Sequence, residues 1–225
     1  MILLGSVVNG GAVVVGGLVG MFVGKLLPER LRTSVMAALS LMTIGIAVPG
    51  LLKSNNALIP IISMVVGTLI GELLDIDSAV NRLGENLQKR FSGSRVTEGF
   101  VTGSLVFAVG ALAVMGPLES GLQHQHDLLF SKSVIDGVAS IVFASTMGLG
   151  VALSGVTVFV VEGSIALLAS VVAPYLGEAV VNEITFVGSL LIVGISLNLL
   201  GVTKLRILNM VPAILLPILL CRFMG

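Results

Sequence analysis

Lys132–Ser164, KSVIDGVASIVFASTMGLGVALSGVTVFVVEGS, decides the class of this chain. It reads as two apolar spans set end to end with almost no polar residue between them. Asp136 lies inside the first span and Glu162 well inside the second, with Ser145, Thr146, Ser154 and Thr157 between them. An ionisable side chain at the centre of a bilayer costs at least ~2.5 kcal/mol, so such residues turn inward and commonly carry function.

The rest of the sequence agrees with a membrane class. The 225 residues are 56% hydrophobic and 11% charged, with a mean hydropathy of +1.12. Soluble domains are roughly 25% charged, and a water-soluble fold of this length cannot bury so much apolar surface. Twelve basic and twelve acidic residues leave no net charge. Nucleic acid is therefore not an expected partner, since no basic stripe is present. The single cysteine, Cys221, excludes an intramolecular disulfide and a cysteine-based metal site. Residues 2–24 are expected to stay as a helix rather than to be cleaved, because no basic segment precedes them and no small-residue cleavage site follows.

A bilayer span needs ~20 apolar residues. Eight candidates follow: 2–24, 34–52, 57–74, 99–117, 134–153, 157–174, 184–201 and 207–224. Basic residues test the number. Lys25, Arg30, Arg32, Arg82, Lys89, Arg90, Arg95, Lys204 and Arg206 fall on one side of the membrane; Lys53, Lys132 and Arg222 fall on the other. The positive-inside rule then places both termini outside the cytoplasm. The expected fold is an all-α, polytopic transmembrane bundle in one membrane domain over residues 1–225.

Small and polar residues suggest how the spans pack. Gly16, Gly20 and Gly24 repeat every four residues, and Gly67 and Gly71 repeat the device. Such faces allow close backbone approach, either within the chain or between copies in a homo-oligomer. Asn9 is suited to a hydrogen bond to a neighbouring helix, with solute contact as the alternative. Pro49–Gly50 is expected to stop or kink the second span. Pro212 and Pro217 interrupt the eighth, freeing backbone of a kind that lines binding sites in transporters. Asn198 and Asn209 lie in the last two spans and join the pathway candidates.

The long polar connection 75–98 carries Ile76, Val80, Leu83 and Leu87 at helical spacing, the pattern of an amphipathic surface or linker helix, broken by Ser92-Gly93-Ser94. The connection 118–131 is expected to be a solvated outer loop. It holds Glu119, His124, His126 and Asp127, but useful metal affinity needs three or four converging ligands. No metal and no cofactor are expected.

The chain also resembles itself at a shift of 96–99 residues. Gly5-Ser6-Val7-Val8 echoes Gly103-Ser104-Leu105-Val106, Ser34-Val35-Met36 echoes Ser133-Val134-Ile135, and Gly67-Thr68-Leu69 echoes Gly163-Ser164-Ile165. A three-span unit repeated in this way would be inverted, as in many secondary transporters. The units would be 1–75 and 99–174, with spans 184–224 appended. A competing echo relates Ser40-Leu41 and Gly45-Ile46 to Ser189-Leu190 and Gly194-Ile195.

Within 132–164, Glu162 falls about five residues into its span, so ~8 Å deep. Asp136 falls near the opposite face, with Lys132 one turn away as an interfacial partner. The two carboxylates are thus expected to lie apart unless a helix is broken. Ser145-Thr146 and Gly148-Leu149-Gly150 offer such a break. Glu162 is the foremost candidate for an ion or proton pathway, against a plain role in locking helices together. Ser145, Thr146, Asn9, Asn198, Asn209 and Asp136 complete the candidate set.

The chain resembles the YdfK/YqgA-type bacterial membrane proteins, domain-of-unknown-function family 554. The resemblance is carried by Leu27-Pro28-Glu29-Arg30, by Gly67 with Gly71-Glu72, and by Lys132 with Asp136. Ser145, Gly148 and Gly150, then Asn209-Met210 with Pro212-Ala213, complete it. It implies a multi-pass protein of the bacterial cytoplasmic membrane and transfers no catalytic or binding residue. The expected partners are the bilayer, a small solute or ion, and further copies of the chain. A transporter or channel is the expected function, and a structural or regulatory membrane component the alternative. An enzyme is not expected, since the histidines sit in an outer connection and the cysteine at the C-terminal edge.

Overall fold

The computed structural model describes residues 1–26, 28–88 and 95–224. Leu27, Lys89, Arg90 and the Ser92–Ser94 break lie outside the described residues, as do the side chains of Glu29, Arg32, Ala111 and residues 83–88.

Every regular element among the described residues is helical. In chain order they are α1 (Leu4–Lys25), α2 (Glu29–Leu51), α3 (Leu58–Leu74), α4 (Ile76–Gln88), α5 (Val96–Ala108), α6 (Ala111–Gln123), α7 (Asp127–Met147), α8 (Leu149–Leu167), α9 (Ala169–Val172), α10 (Glu178–Leu199), α11 (Ile207–Met210) and α12 (Leu216–Met224). Short 3-10 turns at Ala173–Tyr175 and Val211–Ile214 follow α9 and α11. Five helices, α1, α2, α7, α8 and α10, are each long and apolar enough to cross a membrane. Three bent pairs, α3 with α4, α5 with α6, and α11 with α12, raise the number to as many as eight.

The breaks follow from the sequence in two cases. Pro212 and Pro217 cannot donate to a helical ladder, and the eighth span divides at them into α11, a 3-10 turn and α12. Pro49 is accommodated in the last turn of α2, which ends at Leu51. The break in the fourth span was not foreseen. It falls at Val109–Gly110, where Val109 is extended and Gly110 takes φ 129°. The connection expected at 118–131 shrinks to 124–126, because α6 runs to Gln123 and α7 begins at Asp127.

The largest correction concerns the hairpin. The turn lies at Gly148, not at residues 154–156. Gly148 has φ 72° and ψ −146°, a region essentially restricted to glycine, so α7 ends there and α8 begins one residue later.

Glycine brings α1 against this hairpin. A Cβ at Gly16, Gly20 or Gly24 would lie 2.2 Å from Ser140 Oγ, Ile141 O or Ser145 O respectively. On the adjacent face, a Cβ at Gly17 would lie 2.6 Å from Ala152 Cα. Residue numbers rise together along α1 and α7, whereas Gly10 meets Gly155 and Gly17 meets Ala152 on α8. α1 therefore runs parallel to α7 and antiparallel to α8, as expected if the three are the first, fifth and sixth of alternating spans. Gly67 and Gly71 are used in the same way, against Ala213 and the Asn209 carbonyl. Both glycine faces are thus filled within the chain, so an oligomer would have to form through other surfaces.

Helix pairing does not follow a 3+3 division. α1 packs on α7 and α8, and α5 packs on α8, while α2 packs on α10 and α3 on α11 and the turn after it. An inverted repeat would match the α1–α7 contact with one of α2 on α5 or α6, and no comparable contact is present among the described residues. The appended helices instead partner α2 and α3. The competing echo falls on α2 and α10, which face each other where Gly50 meets Ser189.

Two buried polar groups pin this second set. Glu183, expected just before its span, is inside α10 and 2% exposed. Its Oε1 accepts from the backbone N–H groups of Asn55 (3.0 Å) and Asn56 (3.3 Å) in the turn before α3. Asn209 Oδ1 accepts from the Asp77 N–H at 2.7 Å, joining α11 to the start of α4. Loss of one neutral hydrogen bond costs about 1 kcal/mol. Asn209→Ala is therefore expected to lower the stability of the purified protein by about that amount, read as a modest fall in the denaturing-detergent midpoint.

Candidate functional site

The parallel packing of α1 on α7 and the turn at Gly148 together bring four side chains to one point. Asp136 precedes Gly148 by about twelve residues and Glu162 follows it by about fourteen, so they stand ~18 and ~21 Å from the turn along antiparallel helices. The two carboxylates therefore lie at the same depth. The expectation that they are separated, with Asp136 near an outer surface, is corrected by the position of the turn. Asn9 and Glu162 are 0% exposed, Lys132 6% and Asp136 7%. The Lys132–Asp136 pair is thus buried rather than interfacial.

The contacts are specific. Asn9 Nδ2 donates to Asp136 Oδ2 at 3.1 Å and to Glu162 Oε1 at 2.9 Å. Lys132 Nζ is hydrogen-bonded and ion-paired to Asp136 Oδ2, and it lies 3.3 Å from Glu162 Oε1. It also donates to the backbone carbonyl of Phe107 at 2.6 Å. That carbonyl belongs to the last turn of α5, freed by the break at Val109–Gly110. The end of α5 thus adds a negative partial charge to the site, and broken backbone is tolerated in a membrane where it faces protein. Next to the Phe107 carbonyl, Phe107 and Phe143 pack edge to face at 6.1 Å in an apolar core with Val13, Met147, Val151 and Val158.

Formally the site holds one positive and two negative charges. Two acceptor atoms in it, Glu162 Oε2 and Asn9 Oδ1, are buried without a hydrogen-bond partner. Such groups are costly unless satisfied. The arrangement suits reversible capture of a positive charge in a water-poor setting.

The other candidates do not join the cluster. Ser145 Oγ donates to the Val142 carbonyl at 2.7 Å and Thr146 Oγ1 to the Phe143 carbonyl at 3.0 Å, in the last turn of α7. Asn198 closes the turn after α10, through Leu205 and Thr203. Asn209 fixes α4, as described. His126 Nδ1 lies 2.8 Å from Ser120 Oγ, and His124 caps α6 with φ 58°. No group of three potential metal-ligating His, Cys, Asp or Glu side chains converges among the described residues. Lys132 is the member that sequence reasoning missed as a site residue. Its i,i+4 relation to Asp136 was visible, but its contact with Glu162 depends on where the hairpin turns.

Two cavities flank α5. One of about 430 Å³ lies by its N-terminal end and has a mixed lining, with Asp77, Arg95, Glu98 and Asn198 beside Val101 and Leu208. The second, about 480 Å³ and apolar, opens at the α5–α6 break between Val109, Gly110, Val161, Ile165, Tyr175 and Leu215.

Similarity to known proteins extends over nearly the whole chain. The family model described as "Protein of unknown function (DUF554)" matches residues 4–222. The chain belongs to the DUF554 family. Within it, the chain is 30% identical over 219 residues to the "Uncharacterized membrane protein YdfK" of Bacillus subtilis (strain 168), covering 96% of this chain and 94% of that protein. It is 26% identical over 220 residues to the "Uncharacterized protein YqgA" of Escherichia coli (strain K12), covering 95% and 94% respectively. No solved structure matches the chain. This DUF554 protein is thus a multi-pass membrane protein built from apolar helices.

Proposed function

We propose that this DUF554 protein is a transporter or channel for a small solute or ion, with Lys132, Asp136, Glu162 and Asn9 as its charge-handling site. The observation that carries this is the cluster itself: two acids and one base, buried together against the freed end of a broken helix. A buried ion pair is weak support for stability, since hydrophobic replacements are often as stable or better. Ionisable groups at membrane depth commonly mark ion pathways or proton relays, and interrupted helices frame the sites of many carriers. The cavities at the two ends of α5, one of mixed and one of apolar lining, fit a path that this helix would gate. The distribution of basic residues supports both termini outside the cytoplasm, and the bacterial relatives support the cytoplasmic membrane as its location.

The test is flux through proteoliposomes containing the full chain, with a pH-sensitive dye inside and separate ion-selective dyes for sodium and potassium. The wild type is expected to pass protons or a cation above the protein-free background. Glu162→Gln keeps the shape and the Asn9 contact but removes the charge, and it is expected to return flux to background. Equal, background-level flux for wild type and variant across all dyes would overturn the proposal and favour a structural or regulatory role.

A further inference from the structure

We infer that the buried site binds a proton, carried by Glu162 and shared with Asn9, so that the hydrogen ion is the ligand of the transport site proposed above. This rests on that reading for its role in flux, but the argument for the ligand is separate and comes from the hydrogen atoms available.

Lys132 has three N–H donors and the Asn9 amide has two. The three of Lys132 face Asp136 Oδ2, the Phe107 carbonyl and Glu162 Oε1. The two of Asn9 face Asp136 Oδ2 and Glu162 Oε1. All five are spent. Neither Glu162 Oε2 nor Asn9 Oδ1 receives one, yet both are buried. The amide cannot be turned round to relieve this, because its oxygen would then face both carboxylates.

One added proton resolves both atoms. With hydrogen on Oε2, Glu162 becomes a donor, and an unsatisfied acceptor for it is the oxygen of the same amide whose nitrogen already donates to Oε1 at 2.9 Å. An amide and a carboxylic acid then meet edge to edge, each donating to the other. The charge also balances, since neutral Glu162 leaves Lys132 paired with Asp136 alone. An alkali ion fits less well. It would need several oxygens and room for them, and neither flanking cavity is lined by Asn9 or Glu162.

The groups that bear on this proton come from every helix packed on α8. α7 presents Lys132 and Asp136. α1 presents Asn9 and brings no charged side chain to the cluster. α5 contributes the Phe107 carbonyl. α6 carries Glu119, which makes no hydrogen bond or ion pair to the cluster, and α9 carries no ionisable residue. On release of the proton the cluster gains one negative charge. Lys132 lies within reach of both acids and can turn its pairing toward Glu162, which couples proton loss to the position of α8 against α7.

The test is infrared difference spectroscopy on the purified full chain in lipid nanodiscs, titrated from acid to alkaline pH. The expected result is a carbonyl band of a protonated, hydrogen-bonded carboxylic acid that disappears as the proton leaves. Glu162→Gln is expected to abolish the band. Asp136→Asn, which leaves Lys132 to pair with Glu162, is expected to keep the band at acid pH and to move its disappearance to lower pH, and Asn9→Ala to shift it to higher frequency through loss of the shared hydrogen bond. Exchange of sodium for potassium or choline is expected to leave it unchanged. Absence of the band, its persistence in Glu162→Gln, its displacement by sodium, or its indifference to Asn9→Ala would each overturn the assignment. The two readings fail separately. A band without proton, sodium or potassium flux in proteoliposomes defeats the transport proposal and leaves the proton site, whereas flux without the band defeats the proton site alone.

Discussion

Lys132→Met is expected to be the most damaging single substitution in the chain, lowering stability by about 3–5 kcal/mol, the usual cost of leaving a buried charge without its partner. Lys132 is the only cation in the cluster, and it faces Asp136, Glu162 and the Phe107 carbonyl at once. Methionine matches its length and apolar stem but offers no hydrogen. Two acids and a freed carbonyl then face each other in a site of 0–7% exposure. The measurement is the fraction of denaturing detergent at which half the helicity is lost. A second substitution identifies the cause. In Lys132→Met/Asp136→Asn the net charge of the cluster returns to its original value, so a large part of the loss is expected to be recovered. If the double variant is no more stable than the single one, the cost comes from packing of the lysine stem, and the ionic account of the site is wrong.

The residues of this site were visible in the sequence, but their meeting was not. Glu162 stood out because one acid in a long apolar run is costly wherever it points. Asn9 was correctly suited to bonding a neighbouring helix, and it bonds two. Hydropathy cannot locate a turn inside a continuous apolar run, however, and residues 137–161 form one. Moving the turn from 154–156 to Gly148 shifts the partner of each α7 residue by about four helical turns, which changes Asp136 from a distant group into a neighbour of Glu162. Gly148 was noticed as a point of weakness, but its backbone angles decide the matter, and those belong to the fold. The break at Val109–Gly110 left still less trace, because one glycine among apolar residues is ordinary in a membrane helix. The interruption of the last span was legible, because proline acts through its own covalent structure and needs no tertiary context. The repeat shows the opposite limit. Short matches of glycine, serine and apolar residues recur wherever small residues serve helix packing, and here the helices pair along different lines.

Gly20→Leu is expected to separate α1 from the hairpin and to silence the site without touching any of its residues. The Cβ alone would sit 2.2 Å from the Ile141 carbonyl oxygen and 2.9 Å from the Ala144 Cβ. Backbone cannot yield as a flexible side chain does, so α1 must move outward. Overpacking typically costs ~1–3 kcal/mol and occasionally more; a whole isobutyl group against backbone belongs at the top of that range. The functional effect is larger than the loss of stability implies. Asn9 is three helical turns from Gly20 on the same rigid helix, and its hydrogen bonds of 2.9 and 3.1 Å do not survive a displacement of an ångström or more. Flux is therefore expected to fall toward background in protein that still purifies as a folded species, and the infrared band of Glu162 is expected to shift as it does in Asn9→Ala. Gly11→Leu is the matched control. It lies on the same helix, and a Cβ there meets nothing within 4 Å, so it is expected to leave both readouts unchanged. If Gly20→Leu and Gly11→Leu behave alike, α1 does not hold Asn9 in place through its glycine face, and the assembly of the site by close packing of α1 on α7 is refuted.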